Sequence, residues 1–182
     1  MGIWDRVLGK KSKEETDPLR DLTLSALKVG YILDYDLKTW EVKSYHTYDF
    51  DGARVEEWEL DSGDDGCYLE RAKDDEVEWA MSRKLSFSEL GDGIIEHIRK
   101  HEDPPGEITY QGARFALGES GAGYYYRGGE GEGEEMIYWE YTDPSGERLL
   151  CIEQWGEDEF EASIGHRVQE YQFTNILPRE KK

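Results

Sequence analysis

Bases are scarce in this sequence. Only 22 of its 182 residues are Lys or Arg, against 42 Asp or Glu, and the formal net charge is -20. A field of that sign repels phosphate, which excludes nucleic acid as a general partner and points to cationic or neutral ones. Lys and Arg are equally numerous, so the deficit is not the lysine depletion of an extreme halophile. Cysteine is scarce too. Cys67 and Cys151 form neither a metal motif nor a short-spaced redox pair and read as free thiols of a reducing compartment. No apolar run approaches the roughly 18–20 residues that cross a bilayer, and none follows the first bases as a secretory signal requires, so a cytoplasmic location is expected. Phosphate-loop, GxSxG and HExxH patterns are missing, which leaves no catalytic motif and no expected cofactor or metal.

Aromatic residues are plentiful: 13% of the chain, with 6 Trp and 12 Tyr, supply large rigid pieces of apolar area and argue for a folded protein. After Asp21 the pattern is short and alternating. Segments such as LKVGYILDY, TWEVKSYHTY, RVEEWEL, ITYQGARFAL and MIYWEY are rich in Val, Tyr and Trp and separated by turn-formers, as strands are. One stretch, SFSELGDGIIEHIRKHEDPP, predicts a central helix over about 86–102. Ser86 and Glu89 form its capping box, Phe87, Leu90, Ile94, Ile95 and Ile98 its apolar face, and Pro104 and Pro105 its end. Gly91 and Gly93 weaken its first turns.

The two sides of this helix resemble each other. Trp58 and Trp139 are 81 apart, whereas Leu69 and Ile152, Asp75 and Asp158, and Met81 and Ile164 are 83 apart. The expectation is a mainly β (α+β) fold. Two duplicated antiparallel meanders form one compact barrel or sandwich: a first half 22–85, a linking helix 86–105, a second half 106–177 and a tail 178–182. Residues 1–21 stand apart. Within 1–13 four bases face one acid, and Ile3, Trp4, Val7 and Leu8 recur at helical spacing. A short amphipathic helix there would either meet a membrane surface peripherally or dock on the protein itself. Gly2 does not open a myristoylation motif, because Arg6 stands where Ser or Thr is required.

Strand phase sorts the remaining side chains. With Trp58, Leu60, Leu69, Val77, Trp79 and Met81 inward, Glu57, Glu59, Glu70 and Glu78 are expected in solvent, as are Glu140, Glu153, Glu159 and Glu161 in the second copy. Glu59, Glu70, Glu78, Glu140, Glu153 and Glu161 are the candidate face for a cation or a basic partner, since like charges across a ladder want something positive. Acid–base catalysis by these carboxylates is set aside, because a flat sheet offers no enclosed pocket and no cause for shifted pKa values. Tyr124, Tyr126, Trp139 and Trp155 are the candidate aromatic groove between the meanders. His97 and His101 have helical metal-ligand spacing but no third ligand, and are read as structural.

The segments LKVGYILDY, TWEVKSY, VEEWELDSGDDGCYLE and YWEYTDPSGERLLCIEQWGEDEFEASIG carry a resemblance. With Gly30, Trp58-Glu59, Trp139-Glu140 and the Ile152, Glu153, Trp155, Gly156 stretch, residues 22–177 resemble the bacterial family called domain of unknown function 4178. The resemblance implies an accessory role near membrane-stress proteins of the phage-shock-protein A type or near polyamine-synthesis-like enzymes. The expected function is a non-enzymatic adaptor offering its acidic face to a basic protein segment. The alternatives are a binder of a small polyamine-like cation and, last, a carboxylate-based hydrolase.

Overall fold

Alternating residues pair with what lies next to them in sequence. The computed structural model describes residues 22–178, where they form eleven strands. The first five are β1 (Tyr31–Tyr35), β2 (Lys38–Phe50), β3 (Ala53–Asp61), β4 (Gly66–Lys73) and β5 (Val77–Leu85). A helix, α1 (Ile94–His101), follows. The next five are β6 (Glu107–Tyr110), β7 (Ala113–Arg127), β8 (Glu134–Thr142), β9 (Arg148–Gln154) and β10 (Phe160–Val168), and β11 (Thr174–Pro178) is last. The amphipathic stripe of Ile3, Trp4, Val7 and Leu8, with its expected membrane or partner contact, lies outside the described residues. Within them no helix is long and apolar enough to cross a membrane.

All strands belong to one antiparallel sheet in the order β11-β1-β2-β3-β4-β5-β10-β9-β8-β7-β6. The sheet closes on itself, because the end of β2 also pairs with the end of β7, from His46↔Arg127 to Asp49↔Tyr124. Strands β2 to β5 and β10 to β7 therefore make an eight-stranded barrel, while β1 with β11, and β6, are flaps on its outside. At 13 and 15 residues, β2 and β7 are long enough to carry a flap at one end and the closing seam at the other.

The two halves correspond strand for strand. Trp58 opposes Leu69 as Trp139 opposes Ile152, and β2 and β7 each bulge at one matching place, between Val42 and Ser44 and between Leu117 and Glu119. Strand β5 departs from the sequence alignment, since register matches it to β10 at a spacing of 81 and not 83. Register sets Leu69 against Met81 but Ile152 against Ala162, so Met81 matches Ala162 and not Ile164. Each half pairs with the other through equivalent residues, Arg83 with Ile164 at one seam and Asp49 with Tyr124 at the other.

The apolar faces point outward from the barrel, each buried under elements laid on the outer wall, and Phe173 with β11 crosses from the second half to cover the first. Trp40, Trp58, Leu60, Leu69, Trp79 and Met81 pack beneath Leu24, Leu27, Leu33 and Phe173. Phe115, Trp139, Tyr141, Leu150 and Ile152 pack beneath Leu90, Ile94, Ile98 and Ile108. The expected helix 86–102 is split. Phe87–Leu90 is a single 3-10 turn, with Glu89 accepting from the Ser86 N–H at 3.0 Å, and α1 begins only at Ile94. The cause is Gly91 and Gly93, whose positive φ of 100° and 93° breaks the helical path.

Inside the barrel, small residues make room for rings. A Cβ at Gly123 would stand 2.4 Å from Phe50 Cδ1 and 2.6 Å from the Asp49 carbonyl oxygen, whereas one at Gly118 meets nothing closer than 3.8 Å. Gly123→Val should therefore lower unfolding free energy in urea by about 1–3 kcal/mol, as overpacking does, with Gly118→Ala costing less. An unchanged denaturation midpoint for Gly123→Val would refute this packing.

Candidate functional site

Once the apolar faces are outside, alternation sends the acidic faces into the lumen. Glu57 on β3, Glu70 on β4 and Glu153 on β9 approach one another closely enough for each to raise a neighbour's pKa, with Glu140 of β8 near Glu70. Glu57 is only 7% exposed. The expectation that these central glutamates face solvent is thus overturned, because an open meander would wet this face and a closed barrel encloses it. The apolar half of the expectation stands, with Leu69 and Ile152 fully buried.

Hydroxyls and one amine attend the carboxylates. Tyr48 Oη donates to Glu57 Oε2 at 3.1 Å, and Ser82 Oγ donates to Glu70 Oε1 at 3.1 Å. Lys84 Nζ donates to Glu161 Oε2 and lies 5.5 Å from the Tyr68 ring centroid. Tyr125 packs on Tyr48 at 5.1 Å and, edge to face, on Trp155 at 5.2 Å. Tyr48, Tyr68, Lys84, Tyr125 and Trp155 line an open cavity of about 620 Å³ at one end of the lumen, with Glu57 and Glu59 in its wall and the β9–β10 turn as its rim. The indole Nε1 of Trp155 is buried without a hydrogen bond of normal geometry, and lies near enough to Glu153 to favour its ionised form. The other end is filled by Phe50 and Tyr138, 4.6 Å apart. Their rings lie against Gly121 and Gly123.

Burial, and then the charges of Glu70 and Glu153, push the Glu57 pKa up to about 8. Burial and Glu153 push that of Glu70 up to about 7. Burial raises Glu153 and Glu140 as well. Cys151, on the same face, has its thiol raised first by burial and then by Glu153. Glu70 and Glu153 are only half-buried by surface area, because they border a lumen and not a packed core. Protein atoms still surround them closely enough to make ionisation costly.

A carboxyl whose pKa is higher folded than unfolded binds more protons in the folded state between the two values, so stability falls as pH rises through that window. For Glu57 the window runs from its ordinary 4.5 to about 8. Stability should therefore decline from pH 5 to 8.5. Glu57→Gln should flatten the decline and raise Tm at pH 8.5, each kcal/mol recovered being worth about 2–4 °C in a chain of this size. A Tm that rises with pH in the unmodified protein, followed by calorimetry, would contradict the enclosed acid cluster.

The residues selected from sequence divide. Glu59, Glu70, Glu140 and Glu153 lie on the lumen face, with Ser44 Oγ donating to Glu59 at 2.6 Å. Glu78 and Glu161 sit at its mouths, paired with Arg167 and Lys84. The four-membered aromatic groove does not form. Trp139 is 2% exposed on the outer wall near α1, its Nε1 donating to Asp103 Oδ1 at 3.0 Å. Tyr124 and Tyr126 border a second hollow beside Trp155, and Tyr124 is 45% exposed. Sequence reasoning passed over Tyr48, Tyr68, Lys84 and Tyr125. Alternation through Tyr124-Tyr125-Tyr126 could have found the last, since only its ring shares a face with Glu119. His97 and His101 stack at 4.4 Å, with His97 Nδ1 2.9 Å from the Asp103 carbonyl oxygen. Among the described residues no group of His, Cys, Asp and Glu is placed to hold a metal ion. Cys67 lies in the outer core and Cys151 toward the lumen, both as free thiols. The grounds for setting catalysis aside also fail, because the carboxylates are enclosed and their pKa values are displaced.

The fold and site define a closed antiparallel barrel with an acidic, aromatic lumen. The model of the family described as Domain of unknown function (DUF4178) matches residues 28–170, and the chain belongs to that family. An uncharacterised protein of Aquifex aeolicus is 32% identical over 182 residues, covering 98% of this chain and 100% of its own. No solved structure matches.

Proposed function

We propose that this is a non-enzymatic, cytoplasmic binding protein whose barrel lumen takes a small organic cation, a linear polyamine being the class that suits it. One observation carries the reading. Carboxyl groups from opposite walls of the barrel converge behind a cavity of about 620 Å³, walled by Tyr48, Tyr68, Tyr125 and Trp155. That volume lies within the roughly 300–1,000 Å³ of small-ligand sites. Carboxylates supply charge for ammonium groups and rings supply faces for them and for the methylenes between. A docking face for a basic protein segment has less support, since its carboxylates lie inside, where a folded segment does not reach. A hydrolase needs two carboxyls driven apart in pKa, one acid and one base. Here burial drives Glu57, Glu70 and Glu153 in the same direction, which suits a collective counter-charge. We also propose that the two halves descend from a duplication, supported by their matching registers and bulges.

Binding a cation favours the ionised carboxylates, so it should release protons. Titration calorimetry with spermidine should show heat at low salt, weaker binding at high salt, and buffer-dependent enthalpy near pH 7. Affinity should increase from pH 6 to 7.5 as Glu70 and then Glu57 begin to give up their protons, the amines staying largely charged over that range. Glu57→Gln and Glu70→Gln should each weaken binding about tenfold or more, as loss of a buried charge partner does. No heat at low salt would remove the reading.

A further inference from the structure

Lys84 is a resident cation in the cavity wall. Its neighbours Arg83 and Leu85 lie on the outward-facing phase of β5, and its own chain enters the lumen. At the mouth of the lumen Nζ meets Glu161 Oε2 from β10, both side chains about half exposed, and stands over the Tyr68 ring, within the about 6 Å reach of a cation–π contact. Burial alone would drive proton loss, but Glu161 and Glu153 outweigh it and hold the amine charged. The matching residue of the other half, by register, is Gly165, where a Cβ would stand 2.5 Å from the Met81 carbonyl oxygen. Only the end of the lumen that is open carries the lysine.

An ammonium on an unbranched chain, touching one carboxylate, backed by others and lying over an aromatic face, is held as a ligand's primary amine would be held. We infer that Lys84 is the internal occupant of a primary-alkylammonium subsite formed by Tyr68, Glu161 and the carboxylates behind them, and that a ligand's ammonium binds by displacing it. The inference rests on the cation-binding reading of the lumen. It adds a selectivity that reading lacks. A primary ammonium can donate to Glu161 as Lys84 does, whereas a quaternary ammonium has no proton to give.

The test removes the occupant and offers a substitute. Lys84→Ala should lose thermal stability at pH 7.5 and regain it in millimolar n-propylammonium chloride, but not in tetramethylammonium chloride. The unmodified protein should respond to neither. Spermidine should bind Lys84→Ala about three- to fivefold more tightly than it binds the unmodified protein, the worth of one partly exposed cation contact. Lys84→Ala combined with Glu161→Gln should lose the response to propylammonium. Arg127 lines the same cavity and carries the same charge, so Arg127→Ala is the control for general field effects. An equal gain in that variant, equal rescue by the quaternary ion, or no response of Lys84→Ala to propylammonium would each overturn the subsite. If the unmodified protein binds spermidine and Lys84→Ala ignores propylammonium, only the subsite falls. If Lys84→Ala takes propylammonium and neither protein takes spermidine, the subsite stands and the polyamine reading falls.

Discussion

The β2–β7 seam governs everything else in the molecule. Each half is a twisted sheet with one apolar and one acidic face, and the apolar face of each is buried under elements packed outside the barrel. The remaining faces could have stayed in water. Four residue pairs, from His46↔Arg127 to Asp49↔Tyr124, join the free edges and turn those faces toward each other. Closure removes two exposed edges, which stabilises a sheet against pairing with other chains. It also brings Glu57, Glu70 and Glu153 together out of bulk water, which is unfavourable. The fold accommodates the carboxyls in three ways: a proton retained near neutral pH on Glu57, hydroxyl donors from Tyr48 and Ser82, and the Lys84 ammonium.

Local rules reached the strands and their phase but not the side of the sheet that becomes the inside. Trp58, Leu69 and Ile152 do share faces with one another, and Glu57, Glu70 and Glu153 with one another, as alternation requires. The inference from apolar to interior then assumed one core. There are two, both on the outer wall, because α1 with β6 and β1 with β11 cover the apolar faces from outside. The decisive contact joins residues 81 apart in sequence, His46 and Arg127, in segments that carry no local mark of pairing. The aromatic groove failed for the same reason. Trp139 belongs to the apolar phase and follows it outward, while Tyr125, one step from Tyr124, belongs to the acidic phase and goes in. Residue-level chemistry was legible, but its destination depended on closure.

The matching halves also explain why there is one principal cavity in the lumen and not two. By register His46 and Tyr48 correspond to Gly121 and Gly123, and Glu57 corresponds to Tyr138. At one end the polar side chains His46, Tyr48 and Glu57 border open space. At the other, glycines admit the Phe50 and Tyr138 rings, which fill it. The interior departs from this symmetry at a few lumen positions, while the outer cores and the strand registers keep it. Selection on folding would treat the two ends alike, since both halves need the same outward apolar face.

That asymmetry bears on what the acid cluster does. If the carboxyls served only to keep the protein soluble, they would be more effective on the surface, where hydration is complete and ionisation carries no desolvation cost. Glu57 is instead held where burial pushes its pKa up to about 8, so at neutral pH it contributes little charge to solubility. Packing does not explain it either, because an apolar residue of like size would fill the same wall without the penalty. A buried carboxyl poised near neutrality gains a use when a cation can approach it, since the cation restores the charge that burial suppresses. The open end, with its aromatic walls and a lysine already lodged against Glu161, is where such an approach can be made.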